Sequence, residues 1–303
     1  MLRWRLILGV LFVACLAGLL WLDHIVQPRG LFLMPVCVGL CVLATAEVLS
    51  LLGGSGIRAP RGAVHAGALL PVLVVAADPY LELFAAGGTR ILNSTGPLLG
   101  PALLLGVVIC GVAAIRRFDG TRQSAVDLAG SVFAVTYIGG GLAVLALLRL
   151  VDAQGAADRG LVLLAATVAI VKSGDIGAYT VGRLIGRHKL APRLSPGKTW
   201  EGAAGAVLFS CAAGLALFLA VRPENATTQQ NVVHLGGWLL ASAALAVAGM
   251  IGDLLESLLK RSAGVKDSST WLPGFGGVLD VLDSLLLAAP VAFWLAAVGL
   301  VHL

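Results

Sequence analysis

The stretch GDLLESLLKRSAGVKDSSTWLPGFGGVLDVLD, Gly252–Asp283, lies between two apolar runs. It holds five acids, Asp253, Glu256, Asp267, Asp280 and Asp283, beside three bases, Lys260, Arg261 and Lys266. The chain around it is 58% hydrophobic and only 12% charged, so this polar island is out of keeping with its surroundings. Charge is costly beside hydrocarbon, and where it gathers it marks a candidate site. Carboxylates suit a divalent metal and cationic side chains suit phosphate, so the mixture points to a metal and a polyphosphate held together.

The apolar runs on either side decide the fold. Mean hydropathy is +0.96, and runs of about 17–25 apolar residues are the length of a membrane-crossing helix. Candidate spans are 6–22, 31–52, 62–77, 97–115, 124–150, 160–185, 201–221, 236–254 and 284–301. The third is short, and Pro71 interrupts it. Every intervening segment is short, which excludes a soluble domain. With few strand-like alternating segments, only a helical bundle satisfies the backbone in lipid. The expectation is an all-α polytopic membrane bundle of about nine helices, forming one integral unit. Residues 1–123 are read as N-terminal spans and residues 124–303 as the catalytic region.

Placing Arg3 and Arg5 in the cytoplasm and alternating sides leaves fifteen of the 21 Lys and Arg inside. Five fall outside or at outer borders: Arg29, Arg90, Arg149, Arg159 and Arg222. Positive charge is retained on the cytoplasmic side, so the N-terminus is expected inside and the C-terminus outside. The net charge of +5 is then a topology signal, and basic patches with interleaved aromatics that would suit nucleic acid are absent. The first apolar run is long and has no small-residue cleavage site, which reads as a retained helix, not a signal peptide. Cys15, Cys37, Cys41, Cys110 and Cys211 all fall in apolar spans without a CxxC pair, and no HxxxH pair suggests zinc. Sequons at Asn93 and Asn225 lie in expected outside loops.

Two further polar islands lie at expected cytoplasmic boundaries. In Lys172–Arg183, Asp175 and Tyr179 share a helix face that Arg183 continues, and Lys172 can pair with Asp175 three residues on. Gly174, Gly177 and Gly182 allow close helix approach. In Gly186–Gly202, Gly197-Lys198-Thr199 resembles the tail of a phosphate loop. The pattern fails because Pro192 stands where the first glycine should and no strand is expected before it. What remains is a basic loop that places Lys198, Thr199 and Glu201 near a helix start, where phosphate can be held.

In the opening stretch, a helix continuing through 252–261 would set Asp253, Ser257 and Lys260 on one stripe, with Glu256 and Lys260 as a surface pair. Asp280 and Asp283 are three apart at the start of the last span. Pro273-Gly274 and Gly276-Gly277 break the chain before them and let backbone approach a ligand. Acids gathered this way repel one another unless a cation bridges them.

These residues resemble the signature of the phosphatidate cytidylyltransferase (CDP-diacylglycerol synthase) family. Ser257, Lys260, Arg261, Lys266, Asp267, Pro273, Gly274, Gly276, Gly277, Asp280 and Asp283 fall in its register. The islands at 175–187 and 195–202 resemble further family motifs, and Tyr137-Ile138-Gly139 echoes a weaker one. The resemblance covers roughly residues 130–290. Phe275 stands where the family usually has His, and Val281 where it usually has Arg, which removes two potential anion donors.

The resemblance implies that phosphatidate and CTP give CDP-diacylglycerol and pyrophosphate at a cytoplasmic-facing site in a cell membrane, read as a bacterial inner membrane. It implies Mg²⁺, one ion or two, with a monovalent cation as a further option, on Asp253, Asp267, Asp280 and Asp283. Lys260, Lys266, Asp267, Asp280 and Asp283 are the expected catalytic set. Ser195, Lys198, Thr199, Glu201, Ser257, Arg261, Asp175, Tyr179 and Arg183 are the expected substrate-binding set. Membrane lipids and a second copy in a homodimer are the other partners considered. The alternatives are a CTP-using kinase or nucleotidyltransferase acting on another lipid, and an ion-coupled transporter using Glu47, Lys172 and Asp175.

Overall fold

The computed structural model describes residues 2–26, 28–84, 95–151, 158–222, 227–269 and 276–300, with side chains except at 2–13, 82–84 and 95. The sequons at Asn93 and Asn225, the Pro273-Gly274 break and Phe275 lie outside these residues.

Ten α-helices follow one another: α1 (Leu2–Ile25), α2 (Leu33–Gly54), α3 (Arg61–Phe84), α4 (Thr95–Arg116), α5 (Gln123–Ala134), α6 (Gly141–Leu150), α7 (Arg159–Ile185), α8 (Trp200–Val221), α9 (Thr228–Ser262) and α10 (Val278–Ala297). A π-helical segment, Val135–Gly140, joins α5 to α6 and carries Tyr137-Ile138-Gly139. Among the described residues, eight helical spans are long and apolar enough to cross a membrane, with α5, the π segment and α6 counted as one. The chain is an all-α polytopic membrane bundle.

Three expectations change. The third span is not cut short by proline: α3 is a continuous helix of 24 residues with Pro71 and Pro79 inside it. Pro71 cannot donate to the Gly67 carbonyl, and that carbonyl lies against Gly106 of α4, where an added Cβ would stand 2.5 Å from it. Two glycines thus let the backbones of α3 and α4 touch one turn before the proline. Two short strands also appear, β1 (Lys189–Ala191) and β2 (Ser195–Thr199), paired antiparallel. A strand therefore does precede Pro192, and the reason is the Leu194-to-Ala191 backbone turn, which folds the proline-punctuated loop into a hairpin. Because β2 runs directly into α8 with no loop between, the phosphate-loop reading still fails. Finally, Glu256 is buried at 1% exposure, not on a solvent face.

By packing, the chain divides into two compact units, residues 1–150 with 259–282 and residues 151–258 with 283–303. In the first, Met34, Val48, Val64, Val72, Ile138 and Leu142 form a core at 0% exposure. Arg149, expected at an outer border, is instead buried against Asp23, Nε to Oδ2 at 2.6 Å. Asp23 also accepts from the backbone N–H groups of Gly30 and Phe32, the extra hydrogen bonds that a buried ion pair needs. In the second unit, α7 and α8 pack through facing glycines. A Cβ at Gly177 would strike the Gly205 carbonyl, as the small residues of α7 suggested.

Candidate active site

The second unit gathers three carboxylates. Helix α9 continues past its apolar run through Ser262, the case in which the sequence sets these acids along one helix, and puts Asp253 and Glu256 one turn apart. Gly252 lets α10 approach so closely that a Cβ there would collide with the Asp283 carbonyl oxygen. That backbone contact sets Asp283 beside Asp253 and Glu256. One oxygen from each acid lies within 4.8 Å of the others. Glu256 and Asp283 are both buried. Burial and mutual repulsion each disfavour three negative charges here, and a divalent cation would relieve both. The donor set, hard oxygens only, is the type that Mg²⁺ takes alongside water and phosphate.

Cations flank the trio. Lys198, at the end of β2, meets Asp253 at 2.7 Å. Lys172 donates to Asp175 at 3.0 Å and to Ser284 Oγ at 2.8 Å, and the Ser284 backbone N–H donates to Asp283. The Lys172–Asp175 pair is the intrahelical one expected from their spacing. A cavity of about 470 Å³ opens beside Asp253, lined by Asp175, Tyr179, Arg183, Ser195, Lys198 and Thr199 among others. Thr199 caps α8, its hydroxyl accepting from the Gly202 N–H at 3.1 Å, so a helix N-terminus faces this space and adds positive potential. On its wall, Arg183 Nη1 donates to Tyr179 Oη at 2.6 Å, and its guanidinium lies 5.8 Å from the ring centroid.

The remaining residues of the expected sets do not line this cavity. The Glu201 carboxylate accepts from the backbone N–H groups of Arg187 and His188 and lies 2.6 Å from His188 Nδ1, which ties the hairpin to α8. Ser257 Oγ reaches Asp253 Oδ1 at 3.5 Å. Arg261 closes the turn after α9 by donating to the Val265 carbonyl. Lys266 and Asp267 are exposed.

The first unit builds a different carboxylate site around Asp280. Lys260 Nζ meets Asp280 Oδ1 at 2.6 Å. Asp280 Oδ2 accepts from the backbone N–H groups of Ser268 and Gly277 at 3.0 and 2.7 Å, and Ser268 Oγ lies 2.6 Å away. Three of these groups converge on Oδ2 and one reaches Oδ1, so the carboxylate is surrounded by donors. Glu47, from α2, accepts from the Val278 and Leu279 N–H groups at 3.0 and 2.8 Å and reaches Ser268 Oγ at 2.9 Å. It thereby caps α10 from 231 positions away in the chain. The Ser268 hydroxyl has one proton for two carboxylates and can serve only one at a time. Gly276 has φ +86°, and a Cβ on Gly277 would strike Ser268 Oγ and Glu47, so the Gly-Gly break admits the protein's own acids.

Sequence reasoning missed two participants. Glu256 was read as half of a surface pair because its i,i+4 spacing to Lys260 is ordinary for an exposed helix. Glu47 entered only under the transporter reading. The signal for Glu47 was present, since it is the only charged residue in 31–52, and a lone carboxylate in an apolar run requires partners.

A model described as the cytidylyltransferase family matches residues 3–298. A phosphatidate cytidylyltransferase of Haemophilus influenzae is 41% identical over 131 residues, covering 43% of this chain and 44% of that protein. One of Pseudomonas aeruginosa is 43% identical over 141 residues, covering 45% of this chain and 49% of the relative. YnbB of Escherichia coli, an uncharacterized protein, is 41% identical over 135 residues, 45% of this chain and 42% of its own length. The matched stretch thus spans less than half the length of each relative.

Proposed function

We propose that this chain, which belongs to the cytidylyltransferase family, transfers the cytidylyl group of CTP to phosphatidate, forming CDP-diacylglycerol and releasing pyrophosphate. The observation that carries the proposal is the juxtaposition, in one unit, of the Asp253–Glu256–Asp283 trio with Lys198 and a helix N-terminus at a cavity of about 470 Å³. A phosphate oxygen of phosphatidate forms the new bond to the α-phosphorus of CTP, and the bond to the pyrophosphate oxygen breaks. No covalent enzyme intermediate is required, so positioning and charge stabilisation carry the catalysis.

In this reading Asp253, Glu256 and Asp283 hold Mg²⁺, which when bound neutralises phosphate charge. Lys198 and the α8 N-terminus bind triphosphate oxygens, and Arg183 with Tyr179 offers a cation and an aromatic face on the cavity wall for the nucleotide. Lys172, through Ser284, fixes the backbone beside Asp283. Lys260 and Asp280 act differently from the first expectation: with Glu47 and Ser268 they anchor the start of α10. Lys266 and Asp267, exposed after α9, are available to substrate. The site is taken to face the cytoplasm of a bacterial inner membrane, with the N-terminus inside. With α1 counted as a ninth span the C-terminus lies outside, and a reporter fused after Leu303 that is active only in the cytoplasm would refute that odd count.

The transporter alternative draws no support from its three intramembrane charges, since Glu47 caps a helix and Lys172 and Asp175 pair with each other. The deciding experiment incubates purified protein in detergent with labelled CTP, phosphatidate and Mg²⁺. The expected result is a labelled liponucleotide with stoichiometric pyrophosphate. Transfer to another lipid alcohol, or no lipid-linked cytidylyl product, overturns the assignment.

A further inference from the structure

The first unit carries a second polar feature unrelated to its carboxylate site. At one end of α3 and α4 stand Arg58, Arg61, Arg116 and Arg117, all exposed. Among the described residues none of the four guanidinium groups has an ion-pair or hydrogen-bond partner. The nearby acids are engaged elsewhere: Asp119 accepts from Thr121 and Ser124, and Asp127 from the Arg58 backbone N–H and Gln123. Topology alone accounts for arginines at a membrane boundary, but not for what lies beside them.

Helices α3 and α4 touch backbone to backbone at Gly67 and Gly106. Nearer the arginines a cavity of about 450 Å³ opens, walled by small or apolar residues such as Gly62, Ala63, Val108 and Val112 and ending at Arg116 and Arg117. A Cβ added at Gly62 would meet nothing within 4 Å, so this wall is open. A second cavity of about 440 Å³ shares Gly62 and Arg117 with the first and adds Arg58 and Arg61. Along α4, Val108, Val112 and Ile115 lie at i, i+4 and i+7 and are 49%, 44% and 77% exposed. An apolar stripe therefore runs from the span to the charged end.

From this geometry we propose that the groove between α3 and α4 binds an anionic glycerophospholipid, an acyl chain lying along Val108 and Val112 and the headgroup phosphate on the arginines. Guanidinium groups match phosphate oxygens in bidentate fashion, and basic pockets between membrane helices are suited to anionic headgroups. A nucleotide fits poorly, because the apolar walls offer a base nothing to hydrogen-bond. The proposal is independent of the cytidylyl-transfer reading.

The test uses full-length protein in phosphatidylcholine nanodiscs carrying a trace of photoactivatable phosphatidylglycerol, followed by mapping of the labelled peptides. Labelling is expected on peptides containing 60–63 and 108–113. It should fall on the order of 10-fold in R116Q/R117Q, because each arginine near an anionic surface contributes substantially to binding. The groove-filling pair A63L/A113L, which keeps every arginine, should lose labelling as well. If R116Q/R117Q unfolds, as read by thermal denaturation, R58Q/R61Q takes its place. Equal labelling by a photoactivatable phosphatidylcholine, or unchanged labelling in the folded variants, overturns the proposal. Displacement of the lipid by inorganic phosphate alone would show a free-phosphate site and would overturn it too.

Discussion

Asp280 and Asp283 are three residues apart in the same helix, the first half-buried and the second buried, yet they meet the problem of a negative charge withdrawn from water in opposite ways. Asp280 is surrounded by donors: an ammonium group, two backbone N–H groups and a hydroxyl within 3.0 Å. Asp283 accepts from the backbone N–H of Ser284 and otherwise faces two more acids. The first carboxylate is stabilised entirely by the protein. The second is gathered with two more acids within 4.8 Å, the arrangement that suits a divalent cation. The family motif treats the two acids alike, whereas their surroundings differ, and under the proposed function one would anchor the helix and the other would serve the chemistry.

Removing each charge in turn separates the two roles. Asp283→Asn should lower the cytidylyl-transfer rate on the order of 10³-fold, about 4 kcal/mol of transition-state stabilisation, while leaving thermal stability unchanged or higher. The same variant should lose the rise in unfolding temperature that Mg²⁺ confers on the parent protein. Initial rates and thermal melts with and without Mg²⁺ measure both. A fully active Asp283→Asn would end the comparison.

Asp280→Asn should show the reverse pattern. It removes the charge that Lys260 and the neighbouring N–H groups donate to, and weakening these charge-assisted hydrogen bonds should cost about 2 kcal/mol of stability. Thermal unfolding in detergent should show that loss, while the Mg²⁺-dependent shift persists. If the shift disappears and stability does not change, Asp280 is a metal ligand after all.

A smaller effect is expected at Glu47. Glu47→Gln keeps the shape but places an amide NH₂ group near the Val278 and Leu279 N–H groups, at a cost of about 1–2 kcal/mol. Glu47→Asp should recover less than half of that, because its shorter side chain does not reach. An unaltered melt for Glu47→Gln would mean that the cap does not hold α10.

The smallest effect is expected at Val281, where the family usually has arginine. With Lys260 already on Asp280, Val281→Arg should change the rate by less than about 3-fold, under about 1 kcal/mol. A gain of ~10²-fold would instead mark this chain as an impaired or redirected relative.

Much of this protein is legible from sequence, for one physical reason: hydrocarbon imposes length and composition on every segment that crosses it. That constraint sets the spans, the continuation of α9 past its apolar run, and the polar islands as places where charge must have a purpose. It also makes Asp253, Asp283 and Lys198 recognisable as candidates. Local spacing cannot tell which side of a helix meets another helix, so Glu256 reads as a surface pair when it is buried. It also cannot show that Glu47 reaches the start of α10, a contact formed between distant parts of the chain. Nor does it reveal that Gly67 lies on Gly106 beside Pro71, or that a basic loop folds into a hairpin. The sequence by itself determined a membrane bundle and the inventory of its charges. Tertiary structure alone decided which charges are ringed by donors and which are gathered with other acids, because that depends on backbones brought into contact at glycines far apart in the chain.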